Sequence, residues 1–175
     1  EIRTMRSFYE IMTAEGCWIK HFDGFFVSYS IAQIGKELDL LRFGVDYILN
    51  IEIKSEIKEA NKQAKILKQM RENYYYLKFL GKPILIFTYE ENVGFYQYDF
   101  ENDSLNIADK SIVAEKMRMQ EVDYSVDPDK EFVPSNYLIS PFNSTAAFVA
   151  GEYFLTSAQQ RIKEEIGTEL ASNPF

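Results

Sequence analysis

The chain has very little of the chemistry on which many active sites depend. Its 175 residues include one cysteine, one histidine and one tryptophan. A lone cysteine, Cys17, forms neither an internal disulfide nor a zinc site, which favours a reducing compartment. No apolar run approaches the roughly 20 residues of a membrane span, and the N-terminus lacks the regions of a signal peptide. We therefore expect a cytoplasmic protein with no membrane partner.

Several catalytic motifs are also missing from the sequence. It contains no Gly-x-Ser-x-Gly elbow, no Gly-x-x-x-x-Gly-Lys-Ser/Thr loop and no Gly-x-Gly-x-x-Gly fingerprint. The one histidine, His21, stands beside aromatic residues, where packing or capping is its commoner role. Serine hydrolases and P-loop nucleotide binders are excluded for this segment, and a transferase or protease lacks a nucleophile with its base. Carboxylates and lysines remain as the candidate reactive groups.

Acidic residues outnumber basic ones, and the formal net charge is −8. The total alone argues against binding to phosphates, but the charge is unevenly distributed. Residues 54–88 contain 8 of the 19 lysines and arginines and only 3 of the 27 acidic residues. This basic segment is either a solvated helix face or a surface that faces an anionic partner.

Hydrophobic periodicity predicts an α/β fold with a mixed central sheet flanked by helices. The expected order is helix, three strands, helix, two strands, at residues 2–14, 24–31, 37–43, 47–54, 58–80, 83–89 and 95–100. The first three strands form a meander, because the connection at residues 44–46 is short enough for a hairpin turn. Gly81 and Pro83 provide the stop signal for the long helix.

The C-terminal part gives weaker signals. A short helix is expected at residues 111–120, a proline-containing acidic linker at 123–136, and two helices at 144–151 and 156–170. We therefore divide the chain into a core domain (1–120), an acidic linker or extension (121–143) and a helical C-terminal extension (144–175).

Acidic residues on two neighbouring predicted strands form a candidate site. Side chains two residues apart on a strand point to the same face, so Glu37 shares a face with Asp39, and Glu52 shares a face with Lys54. If the strands pair as a hairpin, Asp39 and Glu52 come close together. Two carboxylates suit Mg²⁺ or Mn²⁺, and the lysine can orient or activate a water that attacks a phosphate. A salt-bridge ladder without catalysis is the alternative.

The basic helix follows directly after this pattern. It carries a polar stripe beside the candidate site and an apolar side for packing. The stripe comprises Lys58, Lys62, Lys65, Gln69 and Asn73, and the apolar side comprises Leu67, Met70, Tyr74 and Leu77.

The acids, the lysine and the order of elements together resemble the PD-(D/E)xK nuclease superfamily over roughly residues 1–100. Asp39 matches the first motif acid, and Glu52 and Lys54 match the Glu-x-Lys element. Gln69 matches a helix glutamine of RecB-like branches, although Asn73 stands where those branches often have tyrosine. The resemblance implies a restriction-endonuclease-like core and a deoxyribonuclease dependent on Mg²⁺ or Mn²⁺. In that nuclease, Asp39 and Glu52 bind the metal, and Lys54 and Gln69 complete the catalytic site.

Residues outside this central motif would also take part. Lys58, Lys62 and Lys65 would hold the DNA backbone. Some branches use a first-helix glutamate as a further metal ligand, for which Glu10 is the candidate.

A second resemblance lies near the C-terminus. The run Leu-Thr-Ser-Ala-Gln ending at Gln159 is similar to the segment that precedes the P-loop in superfamily 1 type helicases. The chain begins at Glu1 rather than methionine, and we expect it to be the nuclease part of a nuclease–helicase fusion. Many such fusions are bacterial, and some defend against foreign DNA. The fragment itself would bind DNA weakly, with the helicase/ATPase domain or a second copy (a homo-oligomer) strengthening the grip.

A non-catalytic module with the same fold is the alternative function. Its docking or nucleic-acid-guiding surface would use aromatic residues 74–76 and the strand at 95–100. The sequence leaves open whether the substrate is DNA or RNA, whether it is single- or double-stranded, and whether cleavage is endonucleolytic or exonucleolytic.

Overall fold

Six segments, most of them rich in leucine, β-branched and aromatic residues, form one mixed β-sheet. The computed structural model describes residues 2–32, 34–56, 61–138 and 145–150, together with residues 161, 162, 164, 165 and 168. The strands are β1 (Phe26–Ile31), β2 (Lys36–Phe43), β3 (Ile48–Lys54), β4 (Ile84–Glu90), β5 (Gly94–Asp99) and β6 (Ser104–Ala108). The helices are α1 (Ile2–Ala14), α2 (Lys62–Leu77), α3 (Lys110–Met119), α4 (Pro128–Glu131), α5 (Pro134–Tyr137) and α6 (Thr145–Val149).

The strands lie in the sheet in the order in which they occur in the chain. Neighbouring strands are antiparallel except at the centre, where β3 and β4 run parallel. A parallel pair requires a crossover connection, and α2 lies in that connection. The C-terminal ends of β3 and β4 therefore lie side by side, with residue 54 opposite residue 90.

Each face of the sheet has its own hydrophobic cluster. On one face, α2 buries Ile66, Met70 and Leu77 against the sheet. On the other face, Phe8 and Met12 of α1 are buried in a cluster that also contains residues of α3. Helix α2 therefore covers one face of the sheet, and helices α1 and α3 cover the other.

The predicted α/β class with a mixed sheet flanked by helices is confirmed. The helix at residues 2–14 and the meander of β1, β2 and β3 occur as predicted. Described residues of the long helix begin at Lys62, and the helix is followed by a short 3₁₀ turn (Lys78–Leu80) that stops at Gly81, whose φ is +71°. Two strands were predicted after this helix, whereas the described residues form three. The additional strand, β6, lies at the edge of the sheet and has only five residues, which makes its signal in the sequence short.

Residues 121–138, within the segment predicted as an acidic linker, pack against the sheet. Asp123 donates its backbone N–H to the carbonyl of Phe43 (2.9 Å). Phe132 and Tyr137 are buried in the α2-side cluster. The two prolines that suggested a linker are the first residues of α4 and α5, a position where proline costs a helix nothing. The helix predicted at 144–151 corresponds to α6, whereas most of the helix predicted at 156–170, including Gln159, lies outside the described residues.

A buried arginine, Arg42, connects β2 to the segments around it. Its guanidinium donates to the carbonyl oxygens of His21 (2.6 Å) and Met117 (2.8 Å) and to Oε1 of Gln120 (2.5 Å). It also lies 4.3 Å from the ring centre of Phe25. These acceptors are all neutral, and burial lowers the pKa of Arg42 to about 10. The side chain of Gln120 in turn closely approaches Gly44, where a Cβ would meet it at 2.5 Å.

We expect Arg42→Ala to lower the free energy of unfolding by about 2–4 kcal/mol, because it opens a cavity and leaves buried carbonyls unsatisfied. Denaturant unfolding measures this change. Arg71→Ala is the matched control, since Arg71 forms an exposed ion pair with Asp103 (2.5 Å) and its loss costs about 1 kcal/mol or less. Equal losses in the two variants would contradict this account of Arg42.

None of the described helices is both long and apolar enough to cross a lipid bilayer.

Candidate active site

The two predicted acids meet where β2 separates from β3. Backbone pairing between these strands covers Leu40–Phe43 and Ile48–Ile51. Next to this paired region, hydrogen bonds between side chains and backbone groups connect the two strands instead. Asp39 accepts from the backbone N–H of Ile53 through Oδ2 (2.8 Å), and its own N–H donates to Oε1 of Glu52 (3.4 Å).

Glu52 is the most completely enclosed member of the site, with no exposed surface. Besides the N–H of Asp39, its Oε1 accepts from the side-chain amides of Asn50 (3.3 Å) and Asn73 (2.8 Å). Its Oε2 accepts from the Gln69 amide and from Nζ of Lys54 (3.4 Å). A buried carboxylate needs such donors, because it has lost its water.

Burial nevertheless raises the pKa of Glu52, and the negative charge of Asp39 raises it further. Lys54 and the amides of Asn50 and Asn73 act in the opposite direction without cancelling the rise. A carboxyl group in this state gains from a nearby positive charge, so the site favours a cation next to Glu52.

Lys54 places its ammonium between the two acids. Nζ lies 3.4 Å from Oδ2 of Asp39 and 3.4 Å from Oε2 of Glu52. About a quarter of the Lys54 side chain is exposed, as is about a fifth of Asp39. The three groups therefore form one cluster that opens to solvent on the side of Asp39 and Lys54.

Helix α2 supplies the amides because its polar stripe faces the sheet at this point. Gln69 and Asn73, four residues apart, both donate to Glu52, as the helical spacing predicted. Asn73 is completely buried and also donates to Oδ1 of Asn50 (2.8 Å), while its own Oδ1 has no hydrogen-bond partner among the described residues. The predicted apolar side also holds, with Met70 and Leu77 buried and Leu67 and Tyr74 partly buried.

The predicted nucleic-acid-binding lysines have different environments. Lys62 lies at the start of α2, and its Nζ contacts Oε1 of Glu90 at 3.3 Å. Lys65 is exposed one turn along the helix. Lys58 lies outside the described residues. The charge of Lys62 is thus balanced by a carboxylate of the protein.

The sequence analysis did not assign a role in the site to Asn50, Asn73 or Glu90. Glu90 is completely buried at the end of β4, opposite Lys54 in the parallel register. The sequence contains a signal for Glu90, because this acid ends the apolar strand that follows the basic helix. Asn50 lies on the same face of β3 as Glu52. Its part in the site becomes evident only from its hydrogen bond with Asn73 of α2.

Two further acids considered for the site lie apart from it. Glu10 is exposed on α1, the helix on the opposite face of the sheet. Glu37 is exposed near the start of β2. The structure does not bring either of them to the Asp39–Glu52 pair.

The donor set of the site fits a divalent cation of the magnesium type. Asp39 and Glu52 converge on a common position, which the Lys54 ammonium takes in this structure. Within the described parts of the chain, no group of three or more His, Cys, Asp or Glu side chains gathers in a metal-binding arrangement. Two carboxylates nevertheless suffice for Mg²⁺, which usually keeps several waters and shares its remaining ligands with substrate phosphates.

Comparisons with models of protein families, with curated proteins and with solved structures find no match to this chain.

We expect Glu52→Gln to stabilise the metal-free protein at pH 7 by on the order of 1 kcal/mol, because it removes a buried charge. The folded state holds the Glu52 proton more tightly than the unfolded chain, so wild-type stability falls as the pH rises from the ordinary carboxyl pKa through the raised one. The gain should therefore vanish below about pH 4, where both states are protonated.

Thermal unfolding as a function of pH, with chelator present, measures this difference. Glu72→Gln is the control, because Glu72 forms a partly exposed ion pair with Lys36 (3.1 Å) and its neutralisation should not stabilise the protein. A variant of Glu52 that is less stable than wild type at pH 7 would contradict the prediction.

Proposed function

We propose that the chain is a metal-dependent nuclease that hydrolyses phosphodiester bonds in DNA. The observation that carries the proposal is the convergence of Asp39, Glu52 and Lys54 at the end of β3, with each carboxylate 3.4 Å from the same ammonium. Two acids that share one cation position, with a lysine beside them, are the groups required for metal-assisted attack of water on a phosphate.

Each residue has a distinct role in this proposal. Asp39 and Glu52 would hold Mg²⁺ or Mn²⁺, which when bound would polarise the phosphodiester and neutralise developing charge. Lys54 would orient the attacking water or stabilise its deprotonated form. Gln69, together with Asn73, keeps the Glu52 carboxylate in place through hydrogen bonds to its two oxygens.

The arrangement of elements supports the resemblance to the PD-(D/E)xK superfamily. The first acid lies on β2, the Glu-x-Lys element lies on β3, and the glutamine lies on the helix that crosses from β3 to the parallel strand β4. In this comparison the protein would be the nuclease part of a larger nuclease–helicase, acting in bacterial defence. DNA binding by this chain alone should be weak, since its net charge is −8.

The substrate would approach over the N-terminal half of α2. This half carries Lys62, Lys65 and Lys68, and it begins close to the end of β3 that holds Lys54. Lys65 and Lys68 are the exposed lysines of this half, whereas Lys62 is partly buried. Contacts of this kind position the backbone of the nucleic acid without reading its sequence.

Cleavage of plasmid and single-stranded DNA with Mn²⁺ or Mg²⁺ tests the proposal. We expect cleavage by the wild type, and a loss of about 100-fold or more in Glu52→Gln and Lys54→Met, because each removes a group that acts on the reacting phosphate or water. Lys82→Met is the matched control, since Lys82 has a similar exposure and its own carboxylate partner, Asp123, at 3.2 Å. Cleavage that survives both site variants would refute the assignment.

The alternative, a non-catalytic docking or guiding module, has less structural support. Most of the aromatic residues considered for its surface are buried, including Tyr75, Tyr76, Phe95, Tyr96 and Tyr98. They pack in the interior rather than at a surface that a partner could reach.

Metal binding separates the two functions even when no cleavable substrate is known. We expect calorimetry to detect Mn²⁺ binding by the wild type and its loss in Asp39→Asn, because the variant removes one of two metal-binding carboxylates. Asp103→Asn, which neutralises an exposed acid paired with Arg71, is the control and should bind like the wild type. A wild type that does not bind Mn²⁺ would favour the docking module.

A further inference from the structure

The regular alternation of side chains in β1 and β2 is broken at one place. In β1, Phe26 and Tyr29 both pack against the hydrophobic cluster on the α2 side of the sheet, although they are three residues apart. In β2, Leu38 and Leu41 both belong to this cluster, while Leu40 belongs to the cluster on the other face. Side chains three residues apart on a regular strand point to opposite faces. Each strand therefore contains an irregular position between two residues that face α2.

The two irregular positions lie opposite each other, and one of them is the first acid of the candidate site. The residues on either side pair in register, position 27 with 40 and position 29 with 38, so Ser28 stands opposite Asp39. Ser28 has a φ of +50°, in the left-handed region that residues other than glycine seldom adopt. Local breaks of this kind occur next to active sites, where they redirect a side chain. The kink in the β1–β2 pair is thus centred on Ser28 and Asp39.

This kink decides where the Asp39 side chain points. Leu38 faces α2, so regular alternation from Leu38 would turn Asp39 to the opposite face, away from Glu52. Instead, Oδ2 of Asp39 accepts from the N–H of Ile53 (2.8 Å) and lies 3.4 Å from Nζ of Lys54. The carboxylate therefore lies next to β3, on the side of the second acid.

The conformation of Ser28 has a cost that its own surroundings do not explain. Because serine has a Cβ, a left-handed backbone costs it free energy that it would not cost glycine. Strained residues persist where the surrounding structure holds them, and they cluster at functional sites. Ser28 is exposed on the edge strand β1, so packing of its side chain in the interior does not account for the strain. The position of Asp39 opposite it does.

We propose that Ser28 is a positioning residue of the site, whose left-handed backbone directs the Asp39 carboxylate towards Glu52. The role belongs to the backbone conformation and not to the hydroxyl group. Glycine should therefore replace Ser28 without loss, whereas a β-branched residue should not. The inference rests on the proposed function for its effect on metal binding, while the placement of Asp39 itself can be measured without a metal.

Hydrogen exchange of the Ile53 amide, followed by NMR with chelator present, tests the placement of Asp39, because Asp39 accepts this N–H. We expect Ser28→Val to accelerate its exchange by about tenfold or more, and Ser28→Gly to change it by less than about twofold. Asp39→Ala gives the rate for complete loss of the hydrogen bond. The amide of Leu49, buried in the same strand, is the internal reference and should not respond. An unchanged rate at Ile53 in Ser28→Val, or equal acceleration at both amides, would overturn the inference.

Ser30→Val is the matched control for this experiment. Ser30 is another exposed serine of β1, paired in register with Glu37, and it is not among the described residues with positive φ. A β-branched residue suits an ordinary strand position, so this variant should leave both the exchange of Ile53 and the affinity for Mn²⁺ within about twofold of the wild type. Equal effects of the two valine substitutions would contradict a special role of Ser28.

Calorimetric titration with Mn²⁺ connects this placement to the proposed function. We expect Ser28→Val to weaken Mn²⁺ binding by roughly five- to thirtyfold, the range that the strain of a left-handed residue allows, and Ser28→Gly to preserve it. A wild type that binds Mn²⁺ with an affinity that Ser28→Val leaves unchanged overturns the inference alone. Absence of Mn²⁺ binding in the wild type overturns the proposed function, while the exchange rates still decide whether Ser28 positions Asp39. Should Ser28→Val not fold, Ser28→Thr is also β-branched and adds only one methyl group to the native side chain.

Discussion

The burial of one carboxylate, Glu52, is the constraint on which the arrangement around it depends. A charge that has lost its water must be surrounded by donors, and these come from β2, β3 and α2 together. The requirement explains why polar amides from Asn50, Gln69 and Asn73 lie between a strand and a helix that otherwise pack through apolar residues. Lys54, whose Nζ lies 3.4 Å from Oε2 of Glu52, adds a positive charge to these donors.

The environment that holds Glu52 is suited to a cation for the same reason. Hydrogen bonds from amides stabilise the carboxylate without contributing a full positive charge, so its raised pKa persists. A divalent cation would supply the missing charge from outside. In the metal-free state, Lys54 serves as an internal counter-ion for the two acids without compensating the Glu52 charge fully.

Local signals in the sequence were sufficient for the meander, the crossover helix and the pairing of Asp39 with Glu52, because strand alternation and helical spacing determine which side chains share a face. They were insufficient for β6, which has only five residues, and for the aromatic rings after residue 121, which are buried by contacts distant in the chain. Glu90 was missed for a related reason. Its proximity to Lys54 depends on the parallel register of β3 and β4. The sequence of neither strand alone determines the register of two strands that are separated by a helix.

The single parallel pairing at the centre of the sheet also has a consequence for the order of folding. Strands β1 to β3 and strands β4 to β6 are two meanders, each joined by short connections, so each can form from contacts between residues close in sequence. Their union across β3 and β4 has to close a loop of about 30 residues and is entropically slower. Asp39, Glu52 and Lys54 belong to the first meander, and Glu90 belongs to the second. We therefore expect the acids and their lysine to come together early, and the Glu90 side of the cluster to be completed in the step that makes the sheet whole.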